Sequence, residues 1–187
     1  SPTFDIYWVD VEGGAATLVV SPTGESLLVD TGWDTDDDRD AQRIVAAATE
    51  AGLTQIDQLV ITHYHADHVG GLRALAELIP IVSCLDHGTN TEESNQRWVD
   101  VYLEVCGDKR AAVEAGQTLP FGPVAIDIIA SDNRLLDTPV NGGGPNPLCA
   151  TAERKTQASP ENQRCPFYTS DASDHTPFFP LVAPCLL

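Results

Sequence analysis

The sequence predicts a mixed α/β domain: strands come first, then strands alternate with helices. Three observations predict it. Short β-branched and aromatic runs divided by Gly and Pro turns occupy the first thirty residues. From residue 38 to residue 130, short apolar runs alternate with stretches of helical period. Beyond residue 131 both patterns stop.

Residues 4–11 (FDIYWVDV) read as a strand, and Gly13-Gly14 turn the chain. Residues 15–20 form a second strand, Ser21-Pro22-Thr23-Gly24 a turn, and residues 26–30 a third strand. Consecutive strands with such short links make an antiparallel meander. A helix is expected over 38–51, with Ile44, Val45 and Ala48 on one face and Gly52 as its stop. The acids that precede it, Asp34 to Asp40, suit the positive end of a helix dipole. They do not make an EF-hand loop, because Arg39 stands where that loop needs glycine and Val45 where it needs a bidentate glutamate. A strand follows at 56–61, then a helix from Val69 to Ile79 whose start is loosened by Gly70-Gly71. A strand at 81–85, a helix over 92–105 and strands at 109–113 and 124–129 complete the ordered part. Residues 137–166 carry Gly142-Gly143-Gly144 and five prolines without any period. The chain therefore divides into an ordered part, 1–130, and a loop-rich tail at 131–187.

Composition narrows the function. A formal charge of -18 repels phosphate backbones, so nucleic acid is disfavoured as a partner. The chain has neither a basic patch for an anionic membrane nor an apolar run long enough to span one. Methionine is absent and the chain opens Ser1-Pro2, which leans toward a secreted or periplasmic parent after leader removal. The cysteines, Cys84, Cys106, Cys149, Cys165 and Cys185, lack zinc-ribbon spacing. In an oxidising compartment they allow one or two disulfides with one thiol over.

Chemistry concentrates in Thr62-His63-Tyr64-His65-Ala66-Asp67-His68, which holds three of the five histidines. It directly follows a buried strand and precedes a helix. Imidazole and carboxylate are the ligands that zinc and similar divalent cations accept. In an extended loop His63, His65 and Asp67 share one side, and a tighter turn brings in His68. Trp33, Trp98 and Tyr64 are candidates for a substrate cleft and equally for packing, Trp98 especially, at helical spacing from Tyr102.

This run, with Val69-Gly70-Gly71-Leu72 after it, resembles the HxHxDH signature of the metallo-β-lactamase fold superfamily. Asp10-Val11-Glu12-Gly13-Gly14-Ala15-Ala16 and Leu28-Val29-Asp30-Thr31-Gly32 resemble the opening strands of the hydrolase domain of ComEC-type DNA-uptake proteins. The resemblance covers about residues 4–130. It implies an αββα sandwich and a bound zinc centre of one or two ions. His63 and His65 would hold one ion, Asp67 and His68 a second. Asp30 would stand behind them and orient the histidine loop. A water activated by the metal would attack an ester, lactone, lactam or phosphodiester in a small molecule, with Asp67 accepting its proton.

Past that cluster the sequence departs from the family. Of the two other histidines, His87 lies early and suits either the mouth of a site or a plain loop. His175, in Ser-Asp-His-Thr-Pro, is the candidate additional ligand. Asp132 and Asn133 stand where the family has its next histidine, and Asp171 and Asp174 are weaker candidates for its bridging aspartate. The family repeats its ββα unit twice, and this chain supplies the first. The proline-broken run from Arg164 suggests a truncated or altered second half, and an exposed sheet face then favours a homo-oligomer. A second reading, from a different class, is a catalytically inactive metal-binding half-domain or interaction module. A diiron redox protein of the same superfamily needs the same late ligands, and no flavin-binding segment supports it.

Overall fold

The computed structural model describes residues 3–136 apart from 91 and 133. His175, Asn133, Asp171, Asp174, Cys149, Cys165, Cys185 and nearly all of the 131–187 tail therefore lie outside the described residues.

Strands β1 (Asp5–Trp8), β2 (Thr17–Val20) and β3 (Ser26–Val29) form the antiparallel meander that the turn signals predict. Helix α1 (Arg39–Glu50) then leads to β4 (Ile56–Val60), which pairs parallel to β3. Two short helices, α2 (Ala66–Val69) and α3 (Leu72–Leu78), connect to β5 (Ile81–Asp86), parallel to β4. Helix α4 (Gln96–Cys106) leads to β6 (Arg110–Ala112), parallel to β5. The result is one six-stranded sheet in the order β1-β2-β3-β4-β5-β6.

Side-chain alternation gives the sheet two apolar faces. Leu18, Leu28, Leu59 and Cys84 pack with Ile44 and Ala48 of α1, Leu72 and Leu75 of α3, and Val101, Tyr102 and Cys106 of α4. Leu27, Val60 and Leu85 point the other way. They meet Leu119, Phe121 and Ile128, brought by the hairpin of β7 (Thr118–Phe121) and β8 (Val124–Asp127). Two further strands, β9 (Ala130–Ser131) and β10 (Arg134–Leu135), pair with each other. The described residues thus give a helical layer, a sheet and the first hairpin over its second face. On that second face, Trp8 of β1 remains 79% exposed, with Ile6 beside it partly so.

Three expectations need correction. The helix predicted over 69–79 begins earlier, at Ala66, and breaks at Gly70-Gly71. The break follows from close packing: a Cβ on Gly70 would lie 2.2 Å from the Asp34 backbone nitrogen, and one on Gly71 2.2 Å from the Thr31 carbonyl oxygen. The helix predicted from residue 92 starts at Gln96, after a 3-10 turn at Glu93–Asn95. Glu92 itself is extended, because its N–H donates to the Asn90 side chain. The strand β7 falls between the strands expected at 109–113 and 124–129, where no element is expected. Pro120 is tolerated there because, among the described residues, β7 pairs with β8 alone.

Cys84 of β5 and Cys106 of α4 form a disulfide between buried positions. Among the described residues, no helix is long and apolar enough to cross a membrane.

Candidate metal centre

The parallel strands β3, β4 and β5 end side by side, and the residues that follow them meet at that edge. They are Asp30 after β3, Thr62 and the histidine run after β4, and His87 after β5. The carboxyl edge of parallel strands is where such sheets place ligands.

Asp30 is fully buried with φ 61°, a left-handed turn that aspartate tolerates. One carboxylate oxygen accepts the Thr62 N–H at 2.8 Å. The other accepts the Thr62 hydroxyl and the His68 Nδ1–H, each at 2.7 Å. Because the Thr62 hydroxyl hydrogen goes to Asp30, its oxygen acts as acceptor toward His63 Nδ1 at 3.1 Å. One carboxylate therefore sets the protons of two rings: His63 and His68 carry hydrogen on Nδ1 and present Nε2 outward from these contacts.

The four candidate ligands come together. The ring of His63 lies 4.6 Å from that of His65 and 3.9 Å from that of His68, centre to centre. His68 Nε2 and Asp67 Oδ2 are 3.4 Å apart. Two ligand atoms on one tetrahedral zinc, each at about 2.0–2.1 Å, stand about 3.3 Å apart. The donors thus fit a zinc-like cation in kind, and the Asp67–His68 pair fits in spacing. Among the described residues, no three His, Cys, Asp or Glu side chains are arranged around a single cation position.

Burial opposes a charge on His68, but the hydrogen bonds to Asp30 and Asp67 outweigh it and raise its pKa to about 9. Partial burial likewise opposes the Asp67 carboxylate, and the contact with His68 outweighs that and lowers its pKa below the usual range. Without a cation, the charged form of His68 is thus favoured beside the Asp67 carboxylate.

The extended loop expected for the run holds only to His65, which is extended. Asp67 and His68 sit on α2, where the helical turn carries His68 back under His63. The opening motifs brace that turn. The Asp67 carbonyl accepts the Ala15 N–H at 3.0 Å, and the His68 carbonyl accepts both the N–H and the hydroxyl of Thr31, at 2.7 and 3.0 Å. Gly14 is needed for the approach, since a Cβ there would lie 2.7 Å from the Asp67 carbonyl oxygen. Asp10 of the same motif stays away and pairs with Arg43.

Trp33 is 38% exposed and lies against Gly14, at the rim of the Asp67 turn. Tyr64 and Trp98 pack inward: Tyr64 is buried beside His87 and Tyr102, and Trp98 lies against the helical core. His87 is not a plain loop histidine. It is 5% exposed, 5.1 Å from the Tyr64 ring, and its buried Nδ1 has no partner among the described residues. Asp132 is near enough to act on its charge.

Two residues of the site were missed. Thr62 relays the Asp30 contact to His63, and its place between a strand and the first histidine was the available signal. Glu92 accepts a 2.8 Å hydrogen bond from His65 Nε2, and nothing in the sequence pointed to it.

A sequence model of the family described as Metallo-beta-lactamase superfamily matches residues 9–145. A curated protein of Cupriavidus necator, called a UPF0173 metal-dependent hydrolase, is 27% identical over 128 residues. That match takes in 67% of this chain and 39% of the relative, so the chain spans well under half of its length. Among solved structures, the metallo-β-lactamase SMB-1 bound to 2-mercaptoethanesulfonate is 23% identical, with a TM-score of 0.48 over 67% of this chain and 50% of that one. The metallo-β-lactamase fold protein YhfI of Bacillus subtilis is 20% identical, with a TM-score of 0.45 over 67% of this chain and 52% of that one.

Proposed function

The chain belongs to the metallo-β-lactamase superfamily, and from that premise we propose that it serves a metal-dependent hydrolase, with His63, His65, Asp67 and His68 as ligands. The observation that carries this reading is the Asp30 network. A single buried carboxylate fixes the protons of His63 and His68 on Nδ1, which leaves Nε2 of each as the coordinating nitrogen.

Zinc is the cation that this donor set suits best, and when bound it polarises a carbonyl or phosphoryl group and makes water nucleophilic near neutral pH. The residues of the chain supply the rest. Asp67, whose pKa is lowered by His68, would accept a proton from water. Asp30 and Thr62 hold the rings against rotation. The exposed face of Trp33 offers an apolar surface to a substrate. The charge of -18 disfavours long polyanions. The substrate class is therefore a small ester, lactone, lactam or short phosphodiester. The ComEC-like opening motifs favour the phosphodiester within that class.

His175, outside the described residues, stays the candidate additional ligand. The Cys84–Cys106 disulfide supports an oxidising, secreted or periplasmic setting. The exposed Ile6 and Trp8 support contact with a second copy or with the remainder of a two-half domain. A second reading is an inactive metal-binding module. The observation that favours it is the lack of a three-donor group among the described residues.

The test is hydrolysis of an ester, lactone, lactam and phosphodiester panel by protein stripped with chelator and then reloaded with zinc. Activity that disappears on stripping, returns on reloading and is lost in Asp67→Asn supports the hydrolase. Stoichiometric zinc without turnover of any class supports the inactive module.

A further inference from the structure

Two carboxylates from outside the His63–His68 run hold its rings, and they grip them at opposite nitrogens. Asp30 takes the Nδ1–H of His68. Glu92 takes the Nε2–H of His65 at 2.8 Å. A carboxylate only accepts, and a neutral imidazole carries one N–H, so this contact places the hydrogen of His65 on Nε2 and leaves Nδ1 as the ring's basic nitrogen.

Glu92 is fixed before it meets His65. Its N–H donates to Asn90 Oδ1 at 3.1 Å, and its carbonyl accepts the Asn90 side-chain amide at 2.9 Å. The Asn95 side-chain amide donates to the same carboxylate oxygen that His65 uses. Asn90 and Asn95 thus pin the backbone and the carboxylate from both sides, on the loop between β5 and α4. The side chains are only partly exposed, 29% for His65 and 20% for Glu92, so solvent competes weakly for the contact.

We propose that Glu92 is a positioning residue for the metal centre. It holds His65 in the Nε2–H form, so that His65 offers Nδ1 to the cation while His63 and His68 offer Nε2. The inference rests on the metal-dependent reading above. Metal-bound histidines generally donate their second ring N–H to such a partner, and losing that partner weakens metal binding by about 10–100-fold.

The experiment compares the full chain with Glu92→Gln and Glu92→Leu. In metal-free protein, long-range proton–nitrogen NMR correlations identify which nitrogen of His65 carries hydrogen, and zinc affinity is then read by competition with a chromophoric chelator. Circular dichroism and the denaturation midpoint establish that both variants fold. The expected result is the Nε2–H form in the wild type and in Glu92→Gln, whose amide oxygen still accepts, and a mixed population in Glu92→Leu. Zinc affinity then falls about 10–100-fold in Glu92→Leu and only a few-fold in Glu92→Gln. An unchanged His65 tautomer in Glu92→Leu overturns the proposal. Equal loss of zinc in both variants overturns it too, and makes Glu92 a direct ligand instead. If the wild type binds no zinc at all, the metal-dependent reading fails and takes the proposal with it; an unchanged tautomer in Glu92→Leu beside a wild type that binds zinc overturns the proposal alone.

Discussion

Asp30 and His68, 38 positions apart in sequence, are joined by a 2.7 Å hydrogen bond inside the protein, with Asp30 fully buried. Asp30 ends β3 and His68 lies on α2, so this bond ties the antiparallel meander to the candidate metal centre. The same carboxylate takes two further hydrogen bonds from Thr62. The donors aimed at it, on Thr62 and His68, are buried.

Asp30→Asn keeps the shape and turns one oxygen into a donor. An NH2 group then faces hydrogen that was donated to a carboxylate, which leaves buried groups unpaired. A loss of about 1–3 kcal/mol in stability is expected, with zinc affinity reduced about 10–100-fold. Urea denaturation and chelator competition check the two effects. Unchanged zinc affinity in a folded variant contradicts the orienting role.

Gly71→Ala is expected to destabilise by about 1–3 kcal/mol or more, because its Cβ would sit 2.2 Å from the Thr31 carbonyl oxygen and backbone must move. Thr31 also holds the His68 carbonyl, so the displacement reaches the site. Gly13→Ala is the control. Nothing lies within 4 Å of its Cβ position, and a change within about 0.5 kcal/mol is expected. Equal denaturation midpoints for the two variants contradict the close-approach account.

The Cys84–Cys106 disulfide closes a loop with a sequence separation of 22. In the chain-entropy picture a loop of that size contributes about 3 kcal/mol. Reductant should lower the denaturation midpoint of the wild type accordingly and leave the Cys84→Ala/Cys106→Ala double variant unmoved. A wild-type midpoint that ignores complete reduction contradicts this.

His87 gives a pH dependence of known sign. Burial lowers its pKa below the ordinary 6.5 in the folded protein. Between the folded value and 6.5 the unfolded chain binds more protons, so stability is full above 6.5 and falls as pH drops through that window. His87→Gln, which does not titrate, should reduce the slope of stability against pH below 6.5. Denaturation curves at a series of pH values measure it, and identical slopes in the two proteins would rule the effect out.

Much of the fold was legible because it depends on local pattern. The turns at Gly13-Gly14 and Ser21-Pro22-Thr23-Gly24 announce the meander. The face of Ile44 and Ala48 announces α1. The four candidate ligands were legible because His63 to His68 are contiguous, and no ordinary core or surface requires such a run. Asp30 was reached only through resemblance, since its partners Thr62 and His68 are distant in sequence. Local rules misplaced α2 and the start of α4. Gly70-Gly71 looks like a weak helix start and is in fact a packing contact with residues 31–34, and Glu92 looks helical until Asn90 captures its N–H. The bond between His65 and Glu92 had no signal at all, because a single acid in an acidic chain is indistinguishable from its neighbours until the loop folds.

The central claim is that His63, His65, Asp67 and His68 hold a divalent cation, and zinc content per purified chain tests it most directly. Mass spectrometry of the wild type beside a folded His63→Ala/His68→Ala variant makes the comparison. The account predicts at least equimolar zinc in the wild type and its loss in the variant. Zinc absent from the wild type after reloading, or retained equally by the variant, would contradict it.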